Sequence, residues 1–194
     1  MRINDPPEEI IGSKVVLRRP RYPADCTPLR AAINASFEHL RGWMPWAQSP
    51  ATDQSVRTFL EPAARDFGDS AAHYAITLRR TGEYAGLCGL EARIGEGALE
   101  IGYWADVRHT GRGIVTEAAR LLTATALALD GVTRVEIHCD EANVRSAAVP
   151  RRLGYRLDRI EKDEIEAPNE VGRSMIWVAE AAAWRRNQDV PGGA

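Results

Sequence analysis

The sequence predicts a single mixed α+β or α/β domain. Segments with helical hydrophobic spacing alternate along the chain with segments of strand-like composition. Three strand-like segments follow one another between residues 73 and 104, which is typical of an antiparallel meander. With 194 residues, the chain is long enough to bury a sizeable core without disulfides or metals.

One strand and two helices are predicted before the meander. Residues 14–19 form the first predicted strand, which Pro20 ends. Asp25 is expected to cap a helix whose apolar residues continue to Leu40, and Thr52 or Asp53 is expected to cap the second helix. The meander then consists of residues 73–78, 83–90 and 99–104, separated by glycine-containing turns.

The second half of the chain alternates helices with strands. A helix is expected after the turn at residues 111–113, followed by strand 134–139 and a short helix over 144–153. Strand-like segments at 155–165 and 174–178 complete the pattern. We expect residues 13–180 to form the domain, and residues 1–12 and 185–194 to be flexible tails.

Composition and charge exclude several classes of protein. The net charge of −2 gives no electrostatic preference for nucleic acid or for an anionic membrane. No apolar run approaches the roughly 18 residues of a membrane span, and the acidic N-terminus is unlike a signal peptide, so we expect a cytoplasmic protein. The three cysteines and four histidines show no metal-ligand spacing, so we expect no metal and no disulfide.

The turn Gly111-Arg112-Gly113 between a predicted strand and a predicted helix is typical of an anion site. Glycines let backbone N–H groups approach a ligand, and the start of a helix adds unpaired donors and a positive dipole end. Arg108, Arg112 and the Thr116 hydroxyl can add contacts. Two phosphate loops are excluded, because no lysine follows as in the Walker loop, and because Thr116 stands where the dinucleotide fingerprint needs its third glycine.

The spacing Arg108-x-x-Gly111-x-Gly113 resembles the acetyl-coenzyme A signature of the GNAT superfamily of N-acetyltransferases. The similarity extends to residues 40–46, 100–104, 116–120, 143–146 and 152–155, all of which resemble the RimJ/RimL-like branch. It covers roughly residues 13–180. The order of these motifs is specific for the fold and the acetyl donor, and much less so for the acceptor.

The resemblance implies a twisted, mostly antiparallel sheet flanked by helices, with a splayed parallel pair of strands at 99–105 and 134–139. The pantetheine arm of coenzyme A is expected between these strands, and the pyrophosphate on the amides of residues 111–116. The implied coenzyme-binding residues are Tyr103, Trp104, Ala105, Arg108, Gly111, Arg112, Gly113, Ile114, Val115, Thr116, Asn143 and Ser146.

Acetyl transfer needs a base for the amine and a proton or hydrogen bond for the departing thiolate. By resemblance, Glu100 is the first choice of base, with Glu164 and Glu166 as alternatives. Ser146 matches the serine that RimL-like enzymes use near the thiolate, whereas Pro150 stands where many GNAT enzymes carry a tyrosine acid. Proline has no proton to donate.

Trp43 and Trp46 flank Pro45 in a segment that lines the acceptor pocket in the family, and they are candidate acceptor contacts or core residues. The sequence therefore predicts an acetyl-coenzyme A dependent N-acetyltransferase that works by direct attack on a protein N-terminal amine or a small-molecule amine. A non-catalytic acyl-coenzyme A binding module is the alternative, and a nucleotide-phosphate enzyme is a weaker one. A homodimer is left open.

Overall fold

The computed structural model describes residues 2–188, in which eight strands form one sheet. The strands are β1 (Glu9–Ile11), β2 (Val15–Arg18), β3 (Ala71–Leu78), β4 (Tyr84–Glu91), β5 (Ala98–Ala105), β6 (Arg134–Asp140), β7 (Arg156–Lys162) and β8 (Arg173–Glu180). The helices are α1 (Cys26–Ala35), α2 (Phe37–Leu40), α3 (Asp53–Arg65), α4 (Ile114–Ala126), α5 (Val144–Arg152) and α6 (Ala181–Gln188), with a 3-10 turn at Val107–His109. No helix in this part of the chain is long and apolar enough to cross a bilayer.

The sheet has the order β1-β2-β3-β4-β5-β6-β8-β7. Six of its seven strand pairs are antiparallel, and β5 and β6 form the one parallel pair in the described chain. The prediction of a mixed α/β fold with a mostly antiparallel sheet and a parallel strand pair is confirmed.

Successive side chains of each strand point to opposite faces of the sheet, and the two faces are covered by different helices. On one face, Leu99 and Ile101 of β5 belong to the core cluster that contains Ala118 and Leu122 of α4. On the other face, Trp104 joins a second cluster with residues of α1 and α3. Strand β5 therefore lies between two layers of helices, and its backbone is held from both sides.

Two helix caps were predicted, and the structure supports them differently. The Thr52 hydroxyl accepts from the Ser55 N–H at 3.1 Å and the Ser55 hydroxyl accepts from the Thr52 N–H at 2.9 Å, which confirms the cap of α3. Asp25 stands at the start of α1, but its carboxylate is bonded to Arg18 at 2.7 Å rather than to the helix. The first helix also ends earlier than predicted, because Ser36 separates α1 from α2.

Both ends of the described chain differ from the expected flexible tails. Residues 9–11 pair with β2, and Ile3 is only 2% exposed in the core. The Tyr74 hydroxyl donates to the Pro7 carbonyl at 2.9 Å. At the other end α6 directly follows β8, where Trp184 is buried against the ring of Tyr155. The rest of the predicted C-terminal tail, residues 189–194, lies outside the described residues.

Candidate functional site

A gap opens in the middle of the sheet between β5 and β6. The two strands pair at only three positions, the last of which is Glu100 with Glu136. Beyond this pair, β5 stays with β4 as far as Ala105, while β6 stays with β8 as far as Asp140. The strands diverge like the arms of a V, and we call the paired end the closed end and the other the wide end.

The wide end presents backbone N–H groups. Gly111 and Gly113 both have φ of 74°, a left-handed conformation that residues with a Cβ rarely adopt. Gly113 stands at the N-terminus of α4 with no side-chain cap. The first intrahelical donor of α4 is the Glu117 N–H, which bonds the Gly113 carbonyl at 3.0 Å, so the amides of residues 114–116 have no acceptor within the helix. This arrangement suits a phosphate group.

A buried carboxylate holds the turn that leads to these amides. Asp106 is fully buried, and it accepts from the Arg108 N–H at 2.9 Å and from the Arg108 guanidinium at 3.0 Å. Burial opposes ionisation, but the hydrogen bonds and charge of Arg108 hold the pKa of Asp106 below its usual range. The Arg112 guanidinium lies 3.3 Å from Nδ1 of His109. Both arginine side chains therefore make contacts within the turn.

A second carboxylate ties the start of α4 to the β1–β2 turn. Glu117, in the first turn of α4, is buried and accepts from the Ser13 hydroxyl at 2.8 Å and from the Lys14 N–H at 3.0 Å. It also accepts from the Ser13 N–H. The Lys14 ammonium group donates to the Arg112 carbonyl at 3.2 Å. The glycine turn is thus fixed to the edge of the sheet by hydrogen bonds on both of its sides.

A cleft of about 1020 Å³ begins at the wide end and follows one arm of the V. Its walls come from the end of β5, the start of α4, the start of α5 and the segment after α2. Asn143 caps α5 by accepting from the Ser146 N–H at 3.1 Å. The Tyr103 hydroxyl donates to the Ser146 carbonyl at 3.1 Å and lies 3.3 Å from the Ser146 hydroxyl. Burial raises the pKa of Tyr103, so this hydroxyl is protonated at neutral pH.

Five charged or titratable residues surround the closed end, and we call them the closed-end cluster: Arg93, Glu100, Arg134, Glu136 and His138. Both oxygens of Glu100 accept from the Arg93 guanidinium, at 2.7 and 2.8 Å. Glu136 accepts from Arg134 Nε at 2.7 Å and is bonded to Nε2 of His138 at 2.7 Å. Burial opposes the charge on Glu136, but these two hydrogen bonds hold its pKa below the usual range.

The sequence of the chain matches a known protein family. A family model described as an acetyltransferase (GNAT) domain matches residues 14–156. The chain belongs to the GNAT acetyltransferase family. This confirms the resemblance on which the sequence analysis relied.

Relatives of this GNAT domain include the "Putative ribosomal N-acetyltransferase YdaF" of Bacillus subtilis (strain 168), which is 30% identical over 136 residues, 69% of this chain and 73% of that protein. Among solved structures, the Microcin C7 self immunity acetyltransferase MccE in complex with acetyl-CoA and AMP has a TM-score of 0.80 at 21% identity, covering 90% of this chain and 97% of that chain. RimL, a ribosomal L7/L12 alpha-N-protein acetyltransferase in complex with coenzyme A, has a TM-score of 0.77 at 21% identity over 90% and 98%. The RimJ/RimL-like branch is supported as well.

The cleft of this GNAT domain brings together most of the residues predicted from the sequence. Those that line it are Trp43, Tyr103, Trp104, Ala105, Gly111, Gly113, Ile114, Val115, Thr116, Asn143 and Ser146. Arg108 and Arg112 are not among them, because their guanidinium groups are engaged within the turn. Trp46 is 53% exposed, and its ring lies 6.1 Å from that of Trp104, just outside the cleft.

The predicted acids lie elsewhere in the GNAT domain. Glu100 is only 6% exposed and lies at the closed end of the gap, with Arg93 on its carboxylate. Glu164 and Glu166 are exposed in the loop between β7 and β8 and do not line the cleft. That loop is attached to the end of β6, because the Asp140 carboxylate accepts two of its backbone N–H groups at 3.0 and 3.1 Å.

Sequence reasoning missed the partners that hold these residues. Glu117 and Lys14 both line the cleft. The acidic residue in the first helical turn after the glycine loop was a signal from which the role of Glu117 could have been predicted. The proximity of Arg93 and Glu100 to Glu136 and His138 gave no signal, since the two pairs come from separate segments that meet only through the register of β5 and β6. Within β6, the alternation that places Glu136 and His138 on one face could have paired them.

Proposed function

We propose that this GNAT protein is an acetyl-coenzyme A dependent N-acetyltransferase that acts on a primary amine by direct attack within a ternary complex. The acceptor is a protein N-terminal amine or a small-molecule amine. The observation that carries the proposal is the gap between β5 and β6, with uncapped amides at its wide end and a hydroxyl pair on its wall.

Three physical features of the gap suit coenzyme A. Its pyrophosphate would meet the free amides of residues 114–116 and the positive end of the α4 dipole. Lys14 also lines the cleft here and supplies a positive charge to the anion. Beyond Glu100, the edge of β5 that faces the gap has no partner strand, so its backbone groups are available to an extended arm.

The wall of the cleft carries two hydroxyl groups that could assist the departure of the thiolate. In the proposal the Ser146 hydroxyl donates to the sulfur as the C–S bond breaks, and Tyr103 holds this serine in place through its own hydroxyl. Backbone N–H groups of β5 stabilise the charge that develops on the thioester oxygen. In the proposal the proton of the amine is taken up at the closed end, where Glu100 and the other residues of the closed-end cluster lie.

The acceptor side supports an amine that is carried on an apolar or peptide framework. Trp43, Met44 and Trp104 line the cleft, and the Trp46 ring continues this aromatic surface outward. Aromatic walls with a few polar groups are typical of small-molecule and peptide sites. The name of the Bacillus relative favours a protein N-terminus over a free small amine.

The proposal is tested by turnover on a panel of amines. The purified protein is incubated with acetyl-CoA and, separately, peptides with free N-terminal serine or alanine, free amino acids, spermidine and an aminoglycoside, and thiol release is followed. We expect turnover of at least one class. Tight coenzyme A binding without turnover of any amine would instead support the non-catalytic binding module.

Ser146→Ala separates chemistry from binding. We expect kcat to fall by roughly 10–100-fold, while the Kd for coenzyme A changes little, because only the hydroxyl near the sulfur is lost. The matched control is Ser70→Ala at an exposed serine outside the site, which should leave both values unchanged. An unchanged kcat in Ser146→Ala would remove Ser146 from the mechanism.

A further inference from the structure

We infer that His138, oriented by Glu136, is the group that takes the proton from the acceptor amine, and that Glu100 adds a nearby negative charge. This inference rests on the proposed function and names its proton acceptor. It comes from the geometry of the closed-end cluster.

His138 lies where the arms of the V begin to separate. Glu100 and Glu136 form the last pair of β5 and β6, and His138 follows two residues later on the same face as Glu136. Continuing the register would place His138 across the gap from Gly102, where an added Cβ would meet no atom within 4 Å. The space beside the imidazole on the β5 side is therefore open.

If the pantetheine arm of coenzyme A enters the gap at the wide end, its sulfur points toward the closed end. The amides that suit the pyrophosphate follow the C-terminal end of β5, so the rest of the arm must run back along β5. The acetyl group then approaches the level of Gly102, with the closed-end cluster ahead of it. His138 is 24% exposed on its own face of the sheet, so an amine can reach it from solvent.

The hydrogen bonds of the imidazole fit a proton acceptor. Nε2 lies 2.7 Å from the Glu136 carboxylate, which favours the tautomer with its proton on Nε2. Nδ1 then carries the free lone pair, and it lies 3.9 Å from Glu100, too far for a hydrogen bond. A carboxylate that orients an imidazole and stabilises its protonated form is the relation found in serine hydrolases.

Glu100 itself is engaged elsewhere. Both of its oxygens accept from Arg93, so it would have to release an arginine before it could accept a proton. Its position beside Nδ1 instead adds a second negative charge near the imidazolium. Protonated His138 would thus lie between two carboxylates, each of which is also bonded to an arginine.

The charged groups around the imidazole come from several strands. β8 contributes no charge opposite His138, since the paired residue is Ile176. A hollow of about 480 Å³ adjoins the imidazole, and its charged walls are Arg134, Glu136, Arg156, Asp158, Arg159, Glu161 and Glu180. Both signs occur around this hollow, so neither dominates the surroundings of His138.

The proposed step balances as follows. Neutral His138 takes one proton from the bound ammonium group at Nδ1, and the freed nitrogen lone pair forms the N–C bond to the acetyl carbon. The C–S bond breaks, and its electron pair leaves on the sulfur. The second nitrogen proton reaches the thiolate through the Ser146 hydroxyl, and the His138 proton is released to solvent. One amide, one thiol and one proton result.

The decisive experiment is the pH profile of kcat/KM for His138→Gln with the best acceptor of the amine panel. The wild-type profile is expected to level off at a lower pH than the ionisation of the amine alone would give, because an internal base removes the proton. The variant has no internal base, so its profile should follow the ionisation of the amine itself. We expect a loss of roughly 10²–10⁴-fold near pH 7 that shrinks as the pH approaches the pKa of the amine.

The control is His73→Gln, at a histidine that packs against Phe59 away from the gap and should keep the wild-type profile. A His138→Gln loss of equal size at every pH, or no loss, would overturn the inference. If wild type turned over no amine, the proposed function would fail, and the inference with it.

Glu136→Gln provides a second test that keeps His138 in place. Without this carboxylate, the imidazolium that forms during the reaction loses its hydrogen-bonded counter-charge. We expect kcat/KM to fall by less than in His138→Gln, with a pH profile that differs from that of the wild type. Coenzyme A affinity should be unchanged, because neither residue lines the large cleft. A profile that keeps its wild-type midpoint would contradict the role of Glu136.

Discussion

The two ends of the gap between β5 and β6 are built from different parts of the chain. The wide end presents backbone N–H groups, and its side chains serve to hold the backbone in place, as Asp106 and Glu117 do. The closed end presents side chains, and the backbone there is fully paired. The properties of the wide end therefore depend on its backbone conformation. Those of the closed end depend on which side chains carry protons.

This difference shows how one gap can serve two purposes. In the proposed function the donor meets the backbone amides of residues 114–116, so its binding depends little on the side chains there, although Ile114 itself is buried in the core. Handling a proton needs particular titratable groups in hydrogen-bonding distance, such as Glu136 and His138 at 2.7 Å. Substitutions at the two ends should accordingly change different measured quantities.

The largest expected effect at the wide end comes from Glu117→Ala. Three donors from Ser13 and Lys14 would lose their acceptor, so we expect the free energy of unfolding to fall by about 2–4 kcal/mol. The melting temperature should drop by roughly 4–16 °C. Coenzyme A should also bind more weakly, because the start of α4 is no longer fixed.

Glu61→Ala, at an exposed glutamate of α3, is the matched control for Glu117→Ala. It should change stability by no more than about 0.5 kcal/mol. Calorimetry of both variants with and without coenzyme A measures the two effects. A Glu117→Ala protein as stable as Glu61→Ala would show that the carboxylate does not hold the wide end.

Arg108→Gln should lower stability more than coenzyme A affinity. It would leave the buried Asp106 carboxylate without its guanidinium partner, at a cost of about 1–2 kcal/mol at pH 7. The pKa of Asp106 is lowered in the folded state, so its contribution is present above the unfolded value of ~3.9 and is lost as the pH falls through the folded pKa. The difference between wild type and variant should therefore shrink only in acid.

Coenzyme A binding decides between the two roles of Arg108. If the guanidinium serves only Asp106, the Kd should change by less than about threefold, which is below 1 kcal/mol. A much larger loss would instead support the direct phosphate contact expected from the sequence. Titration calorimetry at pH 7 measures this value.

The smallest expected effect is that of Gly111→Ala, compared with Gly82→Ala. The two glycines have φ of 74° and 72°, and an added Cβ would meet no atom within 4 Å at either. The left-handed conformation should cost both variants about 1 kcal/mol of stability. Only Gly111→Ala should weaken coenzyme A binding, by a few-fold. Equal affinities would mean that the turn conformation does not govern the wide end.

The sequence allowed much of the fold and most of the wide end to be predicted. Glycine spacing and the switch from strand to helix are local signals, and they located the loop. The parallel strand pair and Ser146 were expected from the family resemblance instead. The closed-end cluster could not be predicted, because Arg93, Glu100 and His138 are joined only by strand register. Its histidine was considered only as a metal ligand in the sequence analysis.

Elements with weak local patterns were also missed. β1 has only three residues, and its short apolar content gave no alternation to recognise. Ile3 is isolated in a polar, proline-containing stretch, so no hydrophobic pattern indicated its burial; its N–H donates to the Gly68 carbonyl at 3.0 Å. α6 begins without a break after β8, so no turn residue marked its start.

The hydrogen bonds of Glu117 connect the glycine turn and the start of α4 mechanically to the β1–β2 hairpin. A force applied to residues 9–14, whether from a fused segment or from a neighbouring molecule, would be transmitted through Ser13 and Lys14 to the first turn of α4. Conversely, an anion seated on α4 should slow hydrogen exchange at the β1–β2 turn, although that turn lies at the far edge of the sheet. A displacement of the β1–β2 hairpin should therefore also displace the first turn of α4.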